Sequence, residues 1–117
     1  DDNRGATFQA SMTQALQLKA AFVQIATWND WGEGTMIEPS REFAYRDLEV
    51  LQQLRRRHLD ARFSATASDL RLPARLLRRR RTMTATVQAR RSDRIARLIA
   101  AGKLAEARAE LKETGRR

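Results

Sequence analysis

The chain has 117 residues, with 23 Lys and Arg against 14 Asp and Glu and a net charge of +9. Hydrophobic residues make up 42 %, enough for a core and too many for wholesale disorder, and the lack of cysteine excludes disulfides and thiolate chemistry. The length suits one small domain or part of a larger protein, and no apolar run approaches the roughly 18 residues of a membrane span. Charge is unevenly placed. Residues 1–48 hold 4 basic and 7 acidic residues, net −3, whereas residues 49–117 hold 19 and 7, net +12. The opening "DDNRGATFQA" has neither the basic start nor the apolar middle of a signal peptide, and it lacks an initiator Met. The expectation is a chain that begins inside a longer protein, with any targeting segment upstream. The compartment stays open between cytoplasm and a bacterial envelope or periplasm.

Residues 6–20 predict an amphipathic helix, with Phe8, Met12, Ala15 and Leu16 at helical spacing. "AFVQIATW" follows, short and apolar on both faces except for Gln24, which predicts a strand buried on both sides as in a parallel sheet. A loop from Asn29 to Pro39 carries Gly32 and Gly34. Ser40 is the expected N-cap of a helix over 41–57, with Glu42 in its first turn, an apolar stripe through Ala44, Leu48, Leu51 and Leu54, and "RRR" at its C-terminal end. The order helix, strand, loop, helix predicts one piece of an α/β fold.

From His58 to Arg91 the pattern is thinner. One apolar cluster over 70–77 is interrupted by Pro73, which reads as an extended or partly helical connector. Ser92 is the expected cap of a helix carrying Ile95, Leu98 and Ile99, with Gly102 at its C′ position. A second helix carries Leu104, Ala107 and Leu111 and is expected to stop at Gly115, completing a helical hairpin.

The candidate chemistry lies in "QIATWNDWGEGTMIEP", residues 24–39. Asp30 and Glu33 stand three apart in a glycine-containing loop after the predicted strand. Two carboxylates can divide the work of glycoside cleavage, one protonating the leaving oxygen and the other acting as base or nucleophile. Trp28 and Trp31 can stack on the apolar faces of sugar rings, and Asn29 can hydrogen-bond hydroxyls or orient a carboxylate. The same residues admit plainer roles. Asp30 and Glu33 fit an ordinary solvated turn, Trp28 fits the last core residue of a strand, and Glu38 fits a helix-dipole partner. Trp31 in a polar glycine loop is harder to explain by packing.

"TWNDWGEGTMIEPS" resembles the signature of glycoside hydrolase family 71/99-like proteins. Asp30 is as in the W-N-D-[YW]-G-E-S form of family 71, and "EGTMIEP" is as in the N-E-W-x-E-G-T-x-I-E-P form of family 99. The resemblance covers about residues 22–54, including "SREFAYRDLEVLQ", and does not extend into 60–117. It implies a (β/α)₈ barrel with this motif at the end of a late strand, and activity on an α-linked polysaccharide of glucan or mannan type. It implies Glu33 as general acid and Asp30 as the second catalytic carboxylate, activating water rather than deprotonating a sugar 2-hydroxyl. Trp28, Asn29, Trp31, Thr35 and Glu38 would shape the sugar subsite, with no cofactor and no obligatory metal.

A (β/α)₈ barrel needs about 250 residues. The fold expected here is therefore the C-terminal piece of such a barrel over 1–59, a basic connector over 60–91 and a helical hairpin tail over 92–117. Such a piece alone is expected to be inactive and poorly ordered near the motif. Two other functions compete. One is a protein of the same fold that binds or builds a surface polysaccharide without hydrolysing it. The other is a basic module for nucleic acid or another anionic surface, drawing on "RRRR" at 78–81 and the paired arginines at 56–57, 90–91 and 116–117. Against specific nucleic-acid recognition, the basic part carries one aromatic residue, Phe63, and no zinc-finger or phosphate-loop spacing. The lone His58 has no second His or Cys to join it as a metal ligand.

Overall fold

The computed structural model describes residues 3–82 and 86–113. After a 3-10 turn at Asn3–Gly5, five helices follow: α1 (Ala6–Gln17), α2 (Arg46–His58), α3 (Leu72–Arg81), α4 (Thr86–Ala100) and α5 (Leu104–Glu113), with a second 3-10 turn at Asp69–Arg71. The chain divides into two compact units, Asp1–Ser64 and Ala65–Arg117.

This architecture corrects the expected fold class. Among the described residues there is no strand and no sheet, so the chain is not an α/β piece of a (β/α)₈ barrel. Within the expected strand over 21–28, residues 22–28 do alternate in burial. Val23, Ile25 and Thr27 are half-buried, and Phe22, Gln24 and Ala26 are exposed. Apolar content, however, does not make a strand; a paired neighbour does, because each backbone amide and carbonyl needs a partner or water. The backbone amide of Thr27 does bond Thr35 at 2.8 Å, but that closes a loop rather than starting a ladder. Nor is the run buried on both faces, since Phe22 is 80 % exposed.

In the first unit α1 packs against α2, and Phe8, Met12, Ala15 and Leu16, the residues its periodicity selects, are half-buried. Helix α2 starts at Arg46, five residues later than Ser40 as a cap requires. Ser40 caps a tighter turn instead. Its Oγ accepts from the Phe43 amide at 2.8 Å, and its backbone exchanges bonds with Ala44 at 3.1 and 3.3 Å. Ala44 takes φ +50, which stops the helical run there. Asp47 and Glu49 in the first turn of α2 and Arg55, Arg56 and Arg57 in the last complement the helix dipole. Leu54 is buried, Leu48 and Leu51 half-buried, and Ala44 lies outside the stripe. Beyond the helix the chain folds back. Arg55 lies over the Phe63 ring at 4.0 Å, and Arg56 Nε donates to the Phe63 carbonyl at 3.0 Å.

The second unit has the better core. Leu72 and Leu76 from α3, Ile95 from α4, and Ala107 and Leu111 from α5 form one buried cluster, flanked by Ala96, Leu98, Ile99 and Leu104. Leu72 and Ile95 are wholly buried, which stabilises by roughly 1.5–3 kcal/mol each. Pro73 does not interrupt this region but starts it. It sits in the first turn of α3, where the missing N–H would have had no helical partner. The turn before α3 is tied by Asp69, whose Oδ2 accepts from the Thr66 amide and hydroxyl at 2.8 Å each. The other oxygen, Oδ1, is buried 3.2 Å from Arg108 Nε, an ion pair without hydrogen-bond alignment.

Ser92 is not a cap. Helix α4 begins earlier, and Ser92 lies buried within it, its Oγ accepting from Arg80 Nε. The end of α4 is as the sequence predicts. Gly102 takes φ +71, its amide donates to the Ile99 carbonyl at 3.0 Å, and the Lys103 amide donates to Leu98 at 2.9 Å. These paired bonds satisfy carbonyls that the helix end leaves open. The expected hairpin is present as α4 and α5; Gly115, Arg116 and Arg117 lie outside the described residues.

Candidate functional site

The loop over 27–38 is held by bonds within itself. Thr27 donates twice to the Thr35 carbonyl, from its amide at 2.8 Å and its hydroxyl at 2.9 Å. The Thr27 hydroxyl also accepts from the Asp30 amide at 2.9 Å. Asp30 then repeats the pattern, its Oδ1 accepting from the Glu33 amide at 3.1 Å and its carbonyl accepting from the Thr35 amide at 3.2 Å. The Trp28 carbonyl accepts from both Ile37 and Glu38 amides, at 3.1 and 2.8 Å.

These bonds explain the spacing T-x-x-D-x-x-E over residues 27–33. A short polar side chain at one position bonds the amide three residues on, and the motif occurs twice in succession. Thr27 was not among the candidate residues, although this spacing could have indicated it. It buckles the loop, while Asp30 sets the position of the Glu33 backbone.

Around this frame the candidate side chains are displayed to solvent. Trp28 and Trp31 are 50 % and 51 % exposed, too open for core residues. Trp31 Nε1 donates to Glu38 Oε2 at 3.2 Å, so Glu38 orients the Trp31 ring across the loop. Asn29, Glu33 and Thr35 are exposed, and Asp30 is half-buried. The Glu33 carboxylate has no hydrogen-bond or ion-pair partner among the described residues. Asp30 keeps Oδ2 outside the turn, and a carboxylate of two oxygens has further acceptor capacity.

The two glycines differ. Gly34 takes φ +70, a conformation that side chains disfavour, with open space where a Cβ would stand. Gly32 has no such constraint, and a Cβ there would meet Asp30 Oδ1 at an ordinary 3.5 Å. The first is required by the backbone, the second by nothing its surroundings show.

Among the described residues no group of three or more His, Cys, Asp or Glu could hold a metal ion. His58 ends α2. No described helix is long and apolar enough to cross a membrane. Comparisons with protein-family models, with curated proteins and with solved structures find nothing that matches the chain.

Proposed function

We propose that the loop over 27–38 binds α-linked polysaccharide, with Trp28 and Trp31 as stacking surfaces for sugar rings and Asn29, Asp30, Glu33 and Thr35 as hydroxyl partners. One observation carries this reading: two half-exposed tryptophans, with Asp30 between them and Glu33 two residues beyond, stand on a loop pre-ordered by its own hydrogen bonds. The C–H faces of a pyranose pack on the indole face, and a ring already held in place loses little freedom on binding. Glu38 serves by holding Trp31. Titration calorimetry with α-linked gluco- and manno-oligosaccharides tests the proposal. Saturable heat supports it, and none with either series overturns it.

A second reading, hydrolysis, is favoured by the uncommitted Glu33 carboxylate together with the resemblance of this motif to family 71/99-like glycoside hydrolases. In it Glu33 protonates the glycosidic oxygen and Asp30 Oδ2 activates water. General acid and base work gains its force in a site that excludes water, and the exposure of Glu33 therefore supports binding ahead of hydrolysis. A reducing-end assay separates the two. Turnover that Glu33→Gln abolishes, with sugar binding retained, supports hydrolysis; binding without turnover supports the first reading alone.

A further inference from the structure

Helix α4 carries Arg90, Arg91, Arg94 and Arg97, which together with Glu110 of α5 line an open cleft of about 580 Å³. The spacing i, i+1, i+4, i+7 sets the four guanidiniums in one stripe along about 10 Å of helix. Another face of α4 is committed to the unit, with Ser92 and Ile95 buried and Leu98 and Ile99 packed on the core. The core thus fixes the helix while its arginine stripe faces outward. Glu110 Oε1 holds Arg94 Nε at 2.7 Å, orienting one guanidinium within the stripe. Arg90 and Arg97 are exposed and have no side-chain partner among the described residues. Residues 65–117 hold 15 basic residues against 5 acidic, so the charge of the chain is concentrated in this unit.

We infer that this cleft docks on the phosphate backbone of double-stranded nucleic acid without reading its sequence. Guanidinium forks match phosphate oxygens, and a duplex presents one charge per about 1.7 Å of axis, so a stripe of this length spans several phosphates. Two features select the duplex. Residues 65–117 contain no Phe, Trp or Tyr, so no stacking platform exists there for the splayed bases of a single strand. A helix lying on a lipid surface needs a continuous apolar face to insert, and Ile95, Leu98 and Ile99 of α4 are used within the unit, with Val87 its exposed large apolar residue. Contacts to phosphate alone position a protein on the duplex and carry no sequence information.

The test is fluorescence anisotropy of a labelled mixed-sequence DNA duplex with the full chain, over about 50–200 mM salt. The logarithm of affinity should fall linearly with the logarithm of salt concentration. The double variant Arg90→Gln/Arg97→Gln should flatten that slope by about 2, since each phosphate contact contributes about 0.9. Arg75→Gln/Arg78→Gln removes the same charge from exposed positions on α3 outside the cleft and should leave the slope unchanged. Circular dichroism checks that both variants keep their helices. The inference is overturned by equal losses in the two double variants, which would mean bulk charge. It is equally overturned by a single strand binding as tightly as the duplex, or by anionic phospholipid vesicles binding where the duplex does not.

Discussion

The backbone amide of Glu33 donates to Asp30 Oδ1 at 3.1 Å, so the two carboxylate residues of the loop are joined through the main chain. One Asp30 oxygen is a structural acceptor, whatever the other does. Asp30→Ala should release the Glu33 backbone at a cost of about 1 kcal/mol and weaken sugar binding roughly fivefold. Asp30→Asn retains an oxygen acceptor for the same amide and should bind sugar nearly as well as the unaltered chain. Calorimetry on the pair checks this. Equal losses in both variants would mean that the negative charge, not the turn, matters for binding.

Glu38 acts through Trp31. Glu38→Ala removes the acceptor of the indole N–H and frees the ring, which should weaken sugar affinity by about 3- to 10-fold, the worth of one modest hydrogen bond. Glu38→Gln keeps an acceptor oxygen and should restore most of that affinity. A direct Glu38 contact to sugar through its charge predicts no such rescue.

The second unit depends on a few buried side chains. Ile95→Ala should destabilise it by about 2–5 kcal/mol, because a wholly buried residue leaves a cavity. Leu77→Ala, at a site 52 % exposed, should cost less than about 0.5 kcal/mol. Urea unfolding followed by helical circular dichroism compares the two.

Gly102→Ala should lower stability by about 1 kcal/mol, since φ +71 brings a Cβ into conflict with its own backbone although space around it is open. Gly32→Ala, with an ordinary backbone, should cost much less. Thermal melts of both variants test the contrast.

Local rules were legible in the sequence where the structure obeys them alone. The α1 stripe through Phe8, Met12, Ala15 and Leu16 follows from helical period, and Gly102 follows from the geometry of a helix end. Reading failed where one residue serves two local structures. Ser40 and Ser92 are both plausible caps by type, yet one caps a turn and the other is a buried acceptor for Arg80. Pro73 stops a helix from within but starts one from its first turn, and only its place relative to Leu72 and Leu76 distinguishes the cases. The strand expected over 21–28 failed for a different reason. Apolar content is a property of the segment, whereas pairing is a property of its neighbours, and no strand pairs with it among the described residues. At the site the residue types were legible and their division of labour was not. Asp30 and Glu38 each spend an oxygen on the loop itself, and Thr27, read as part of a strand, closes it.

Trp28 and Trp31 are the only two tryptophans in the chain, and both belong to the proposed sugar site. Their fluorescence therefore reports on that site with no background from elsewhere. Titration with an α-linked gluco- or manno-oligosaccharide should shift the emission and saturate, and Trp31→Ala should lose most of the response together with the affinity. Emission that stays unchanged through saturating concentrations of both sugar series would contradict the account.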